Sequence, residues 1–81
     1  MRITVLYFAA VRELAGTSEM SLDLPAGVTV RELAAYLEKT VAGLGGKLGA
    51  VRWAKNEVFV ALDARLDEGD VVAAIPPVAG G

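Results

Sequence analysis

Apolar and polar positions alternate with period two at the start of the chain. Ile3, Val5 and Tyr7 share one face and Thr4, Leu6 and Phe8 the other, in a stretch from Arg2 to Phe8 rich in β-branched and aromatic residues. This predicts a first strand. Ala9 to Ala15 contains good helix formers and stops at Gly16, which predicts a short helix. From Ser18 to Leu24 the alternation returns, with Met20, Leu22 and Leu24 opposite Glu19, Ser21 and Asp23, until Pro25-Ala26-Gly27 breaks it. Thr29-Val30-Arg31-Glu32 then has the spacing of a capping box, in which hydroxyl and carboxylate each satisfy an otherwise unpaired N–H. A main helix over about 30–42 follows, because Val30, Leu33, Ala34, Leu37 and Val41 recur at helical spacing while Arg31, Glu32, Glu38 and Lys39 fall elsewhere on the wheel.

Beyond that helix the glycines Gly43, Gly45, Gly46 and Gly49 predict a loop or broken helix over 43–50, and their spacing matches no phosphate-binding pattern. Val51 to Ala54 and Val58 to Leu62 read as two strands joined by a tight hairpin at Lys55-Asn56-Glu57. Residues 63–70 form a connection, and Val71 to Ile75 is a short apolar strand suited to the middle of a sheet. Asp67, Glu68 and Asp70 lack calcium-loop spacing and read as a solvated turn. The order of elements predicts an α+β fold, a mixed sheet of about five strands with one main helix across it and a short helix as an addition. The domain spans 1–75, and 76–81 is an extended tail.

Composition narrows the functional classes. Eighty-one residues with 54% hydrophobic content make one small packed domain, which buries only about 60% of the surface its unfolded chain exposes. The net charge of −2, with eight Lys and Arg residues scattered along the chain, argues against a nucleic-acid surface. No apolar run is long enough to span a bilayer and no signal-type segment opens the sequence, so a cytoplasmic location is expected. The chain has no Cys and no His, which excludes disulfides, thiolate catalysis and imidazole acid–base chemistry, and zinc of the usual structural kind.

What chemistry remains lies in the last six residues, Pro76-Pro77-Val78-Ala79-Gly80-Gly81. Glycine has no Cβ, so Gly80 and Gly81 can thread a passage too narrow for other residues and present a terminal carboxyl to another protein's active site. Pro76 and Pro77 each fix φ, so the strand is expected to end at Ile75 and the tail to leave as a semi-rigid arm of about 20 Å. A terminal Gly-Gly alone reads as a frayed end.

Four stretches give the tail a context. They are Leu6-Tyr7-Phe8-Ala9-Ala10-Val11-Arg12-Glu13-Leu14-Ala15-Gly16, Val28-Thr29-Val30-Arg31-Glu32-Leu33, Leu66-Asp67-Glu68-Gly69-Asp70-Val71-Val72 and the Pro-Pro-x-x-Gly-Gly end. Together they make the chain resemble, end to end, the small sulfur-carrying subunits of molybdopterin synthase, which are ubiquitin-like β-grasp proteins. The helix start and the Gly-Asp turn are shared with many β-grasp chains, whereas the first stretch and the terminus are specific. Lys55 departs from the apolar residue the family usually places before the Asn.

The resemblance implies that an activating enzyme uses ATP to adenylate Gly81, that a sulfur donor converts the adenylate to a thiocarboxylate, and that this sulfur passes to a cyclic pyranopterin precursor to build a dithiolene. The carrier itself binds no cofactor. The pocket belongs to a larger subunit, with a heterotetramer expected. The resemblance also points to Phe8, Phe59 and Ile75, with the tail residues Pro76 to Ala79, as the contact with that subunit and to Arg12 as a polar contact at its rim. Ordinary core is the other reading of the three apolar residues. Two further classes of function stay open at this point. One is a sulfur carrier for thiamine, transfer RNA or cysteine synthesis, or a modifier attached to lysines. The other is a non-covalent β-grasp binding module.

Overall fold

The structure, a computed structural model, describes residues 1–77. Its strands are β1 (Arg2–Tyr7), β2 (Glu19–Asp23), β3 (Arg52–Lys55), β4 (Val58–Val60) and β5 (Val71–Ile75), and its helices are α1 (Ala9–Ala15) and α2 (Val30–Thr40), followed by a 3-10 turn at Ala42–Leu44. The strands form one sheet in the order β2-β1-β5-β3-β4. β1 and β5 pair in parallel at its centre, and the other neighbours are antiparallel. The mixed five-stranded sheet with one main helix and one short helix is the arrangement the sequence predicts.

Alternation along the central strands decides which side is filled. Ile3, Val5 and Tyr7 of β1 and Val72 and Ala74 of β5 point into the core, where Val30, Leu33 and Leu37 of α2 meet them. Trp53 joins from β3, directly opposite Ala74 in the ladder. The capping box is formed: the Thr29 hydroxyl accepts from the Glu32 N–H at 3.2 Å and the Glu32 carboxylate accepts from the Thr29 N–H at 2.9 Å. The next two orphan donors of the helix are also satisfied, since the Val30 and Arg31 N–H groups donate to the Ala64 and Leu62 carbonyls. That is why the segment after β4 leaves the sheet and crosses to the helix start, and why β4 stops at Val60 and not at Leu62.

Other boundaries shift for local reasons. Phe8 caps α1 and does not extend β1, and α2 ends at Thr40 because Val41 takes an extended conformation. The glycine-rich stretch is more than a connection. Leu44 and Leu48 are buried, and the Glu38 carboxylate accepts from the Leu48 N–H at 2.8 Å. The hairpin is the tight one expected: Lys55 pairs with Val58 across Asn56 and Glu57, both at positive φ as a primed turn requires.

Gly43 is where the 3-10 turn crosses the end of α1. A Cβ at this position would lie 1.9 Å from the Leu14 carbonyl oxygen, inside any tolerable contact with a backbone atom. Gly43→Ala must therefore push the turn away from α1, and a loss of about 1–3 kcal/mol in unfolding free energy is expected by urea denaturation.

Candidate functional site

One helix covers one side of the sheet, and the opposite side carries its own apolar set. Leu6 of β1, Ala54 of β3, Phe59 of β4, and Val71, Ala73 and Ile75 of β5 line a shallow concavity of about 530 Å³ together with Phe8. The register explains the grouping. Leu6 lies opposite Ala73, Ala73 opposite Ala54, and Ala54 opposite Phe59, so one continuous apolar row crosses four strands. Phe8 and Phe59 keep 45% and 52% of their surface exposed, which removes them from the core and makes them anchors without a cover. The β2 side of this face is different: Glu19, Ser21 and Asp23 are exposed, and Asp23 pairs with Arg2 at 3.2 Å.

The apolar row lies where the tail begins. Ile75 is the last residue of β5, Pro76 is half-buried and Pro77 is exposed. Phe8, Phe59 and Ile75, separated by up to 67 residues in sequence, thus share one concavity beside the tail's root. Arg12 stands apart from them and borders a polar hollow with Glu13, Gly16, Thr17 and Ser18. Val78, Ala79, Gly80 and Gly81 lie outside the described residues.

The acidic turn is not simply solvated, as its composition suggests. Glu68 is exposed and accepts from the Arg2 N–H at 2.9 Å, but Asp70 is only 8% exposed. Asp70 accepts from the Asp67 N–H at 2.7 Å and from the Asn56 side-chain amide at 3.0 Å, with the Lys55 ammonium 4.0 Å away. Asn56 also exchanges hydrogen bonds with the backbone of Val71 through its own N–H and its side-chain oxygen. This network fixes the hairpin tip against the start of β5, and so fixes where Phe59 sits relative to Ala73 and Ile75. Lys55, the departure from the family pattern, is absorbed by it and by the Arg65 carbonyl, which accepts from Lys55 Nζ at 3.1 Å. The Leu-x-x-Gly-Asp pattern was the only sequence signal for this cluster, and it does not reveal that Asn56 is the partner.

The polar side chains lining the concavity are Asn56 and Glu57, both at the hairpin tip. Tyr7 is buried and its hydroxyl reaches only the Met20 sulfur, at 3.6 Å, so burial raises its pKa and keeps it neutral. Among the described residues no group of three or more acidic, Cys or His side chains is placed to hold a metal ion, and no helix is long and apolar enough to cross a membrane.

A mixed sheet with one covering helix, a bare apolar face and a Pro-Pro exit defines a ubiquitin-like β-grasp protein. The ThiS family model matches residues 5–81. The molybdopterin synthase sulfur carrier subunit of Escherichia coli is 43% identical over 98% of this chain and 99% of its own length. Among solved structures, one chain of the complex of subunits 1 and 2 of the molybdopterin-converting factor from Helicobacter pylori matches with a TM-score of 0.74 and 28% identity over the full length of this chain and of that one. SAMP1 from Haloferax volcanii superposes with a TM-score of 0.89 over both full lengths at 24% identity, a likeness of fold. The chain belongs to the ThiS family and is similar along its whole length to molybdopterin synthase sulfur carrier subunits.

The Asp70 network has a pH signature. Burial by itself raises the carboxyl's pKa, but the Asp67 N–H, the Asn56 amide and the Lys55 charge outweigh it and hold the value below the ordinary aspartate range. The folded protein therefore binds fewer protons here than the unfolded chain, so the stabilisation is full above the unfolded value of about 4 and is lost as pH falls through the folded value. Asp70→Ala is expected to lower unfolding free energy by about 2–3 kcal/mol at neutral pH, since two donors lose their acceptor. Urea midpoints measured from neutral pH down to about pH 3 should show the deficit shrinking as the wild-type carboxylate is protonated.

Proposed function

We propose that the protein is the sulfur carrier subunit of molybdopterin synthase, with Gly81 as the atom-carrying residue. The full-length match to the E. coli carrier supports this reading, and an uncovered apolar face at the root of a Gly-Gly tail gives it a physical form. A carboxylate is a poor electrophile. On an activating enzyme the Gly81 carboxylate attacks the α-phosphate of ATP, pyrophosphate leaves, and a sulfur donor then displaces AMP to give a thiocarboxylate. This group is anionic at neutral pH and strongly nucleophilic, so a chain without Cys or His can deliver sulfur with no catalytic side chain of its own. The cyclic pyranopterin precursor receives two sulfurs from successive carriers and becomes the dithiolene of molybdopterin.

Phe8, Phe59 and Ile75 form the contact with the large subunit, and Pro76 and Pro77 carry Val78, Ala79 and Gly80 towards its pocket. The apolar row supplies the area that orients the tail, since a chain end finds a narrow pocket faster and binds it more tightly when its root is already docked. Arg12 contributes a polar contact at the edge, and two carriers with two large subunits complete a heterotetramer. ATP is consumed by the activating enzyme, and the carrier holds no cofactor. The setting is cytoplasmic.

Intact mass of the natural protein, taken from its own cells before and after treatment with a thiol-alkylating reagent, tests the chemistry. A stoichiometric adduct on the terminal peptide is expected, because no Cys competes for the reagent. An unchanged mass in cells making molybdenum cofactor counts against a carrier, and lysine-linked conjugates in place of free carrier point to a protein modifier. Deleting Gly81 should abolish sulfur transfer while leaving large-subunit binding largely intact.

The docking face has a separate test. Phe59→Asp places a charge at an exposed apolar anchor, so thermal stability should change little. Affinity for the large subunit should fall by about 30-fold or more by calorimetry, the effect of losing a central contact worth about 2 kcal/mol.

A further inference from the structure

Arg52 is a charge at the apolar face that packing does not explain. Arg52 lies directly opposite Ile75 in the β3–β5 ladder, and its guanidinium carbon stands 4.1 Å from the centroid of the Phe59 ring. Its neighbours Trp53 and Ala74 are buried on the helix side, so Arg52 and Ile75 present their side chains to the uncovered side. Among the described residues the ion pairs are Arg2–Asp23 and Lys55–Asp70, and Arg52 takes part in neither. Glu38 borders a neighbouring groove together with Arg52, but its carboxylate is already engaged by the Leu48 N–H. A cation held over an aromatic ring thus sits between two of the residues proposed to dock, beside the exit of the tail.

That position constrains the partner. A protein that covers Phe59 and Ile75 also removes water from Arg52, and an unpaired charge in a desolvated interface is strongly unfavourable. Stacking on Phe59 restricts the guanidinium to a planar, outward-facing fork suited to a carboxylate. We propose that Arg52 is a specificity-determining residue of this face, which pairs with a carboxylate that the large subunit presents beside the root of the tail. The inference rests on the reading of the face as the large-subunit contact. It adds a chemical requirement to that contact, since a surface that is purely apolar or basic at this point is disfavoured.

The test uses the full-length chain and the large subunit from the same organism, with binding measured by calorimetry at low and high salt. Arg52→Glu should weaken binding about 100-fold or more, and Arg52→Leu about 10-fold with a flatter salt dependence, because the partner's carboxylate is left unpaired. Replacing that carboxylate by Arg in the large subunit should restore affinity to Arg52→Glu and not to the wild type. Arg52 is exposed, so unchanged thermal unfolding of both variants verifies that they fold. Equal or tighter binding by Arg52→Leu, with little loss in Arg52→Glu, overturns the inference and leaves Arg52 as a charge that merely keeps an apolar face soluble. A wild-type chain that does not bind the large subunit is a different result, and it overturns the docking reading and this inference together.

Discussion

A chain of this length can cover only one side of its sheet. α2 supplies a single apolar stripe, and Val30, Leu33 and Leu37 spend it on Ile3, Val5, Tyr7, Val72 and Ala74. The 3-10 turn and the segment through Leu48 extend that layer, and nothing among the described residues forms a second one. The larger apolar residues of the opposite face, Phe8, Phe59 and Val71 among them, are consequently left exposed. Phe8 and Phe59 owe their exposure to this arithmetic, and they lie beside the root of the tail.

The parallel pairing of β1 with β5 makes that location possible. Placing the last strand at the centre of the sheet buries Val72 and Ala74 on one side and aligns Leu6 with Ala73 on the other. A tail that starts from a central strand has a firmly held root, while a tail from a frayed edge would have none. The Pro76-Pro77 pair cannot continue a ladder, so the sheet ends where the arm begins. Fold and tail thus divide the work. In the proposed function the body sets position and partner, and the terminus holds the atom that moves.

The least expected feature is the polar network around Asp70. Small domains gain little from buried charge unless every lone pair is met, and Asp70 is met by the Asp67 backbone, the Asn56 amide and the Lys55 ammonium. The network fastens the β3–β4 hairpin to β5, and the hairpin carries both Phe59 and the Arg52 that stacks on it. A charge cluster at one end of the sheet therefore holds the geometry of an apolar surface on its face.

Much of this was legible in the sequence, because the signals are local. Period-two alternation placed β1 and β2, the Thr29–Glu32 box placed the start of α2, and Gly16 placed the end of α1 at Ala15. What the sequence left open depends on which residues meet across the chain. Val71 to Ile75 is apolar throughout, so only its pairing with β1 and β3 shows that Val71, Ala73 and Ile75 face outward. Leu44 and Leu48 sit among glycines and look like loop, and only the packing of the turn on α1 and α2 buries them. The turn pattern announces Asp70 and gives no sign of Asn56, and Arg52 is one scattered cation until the hairpin lays it over Phe59. Local propensity and period are written in consecutive residues, whereas burial, charge pairing and a shared face are fixed by strand register, which the tertiary structure alone decides.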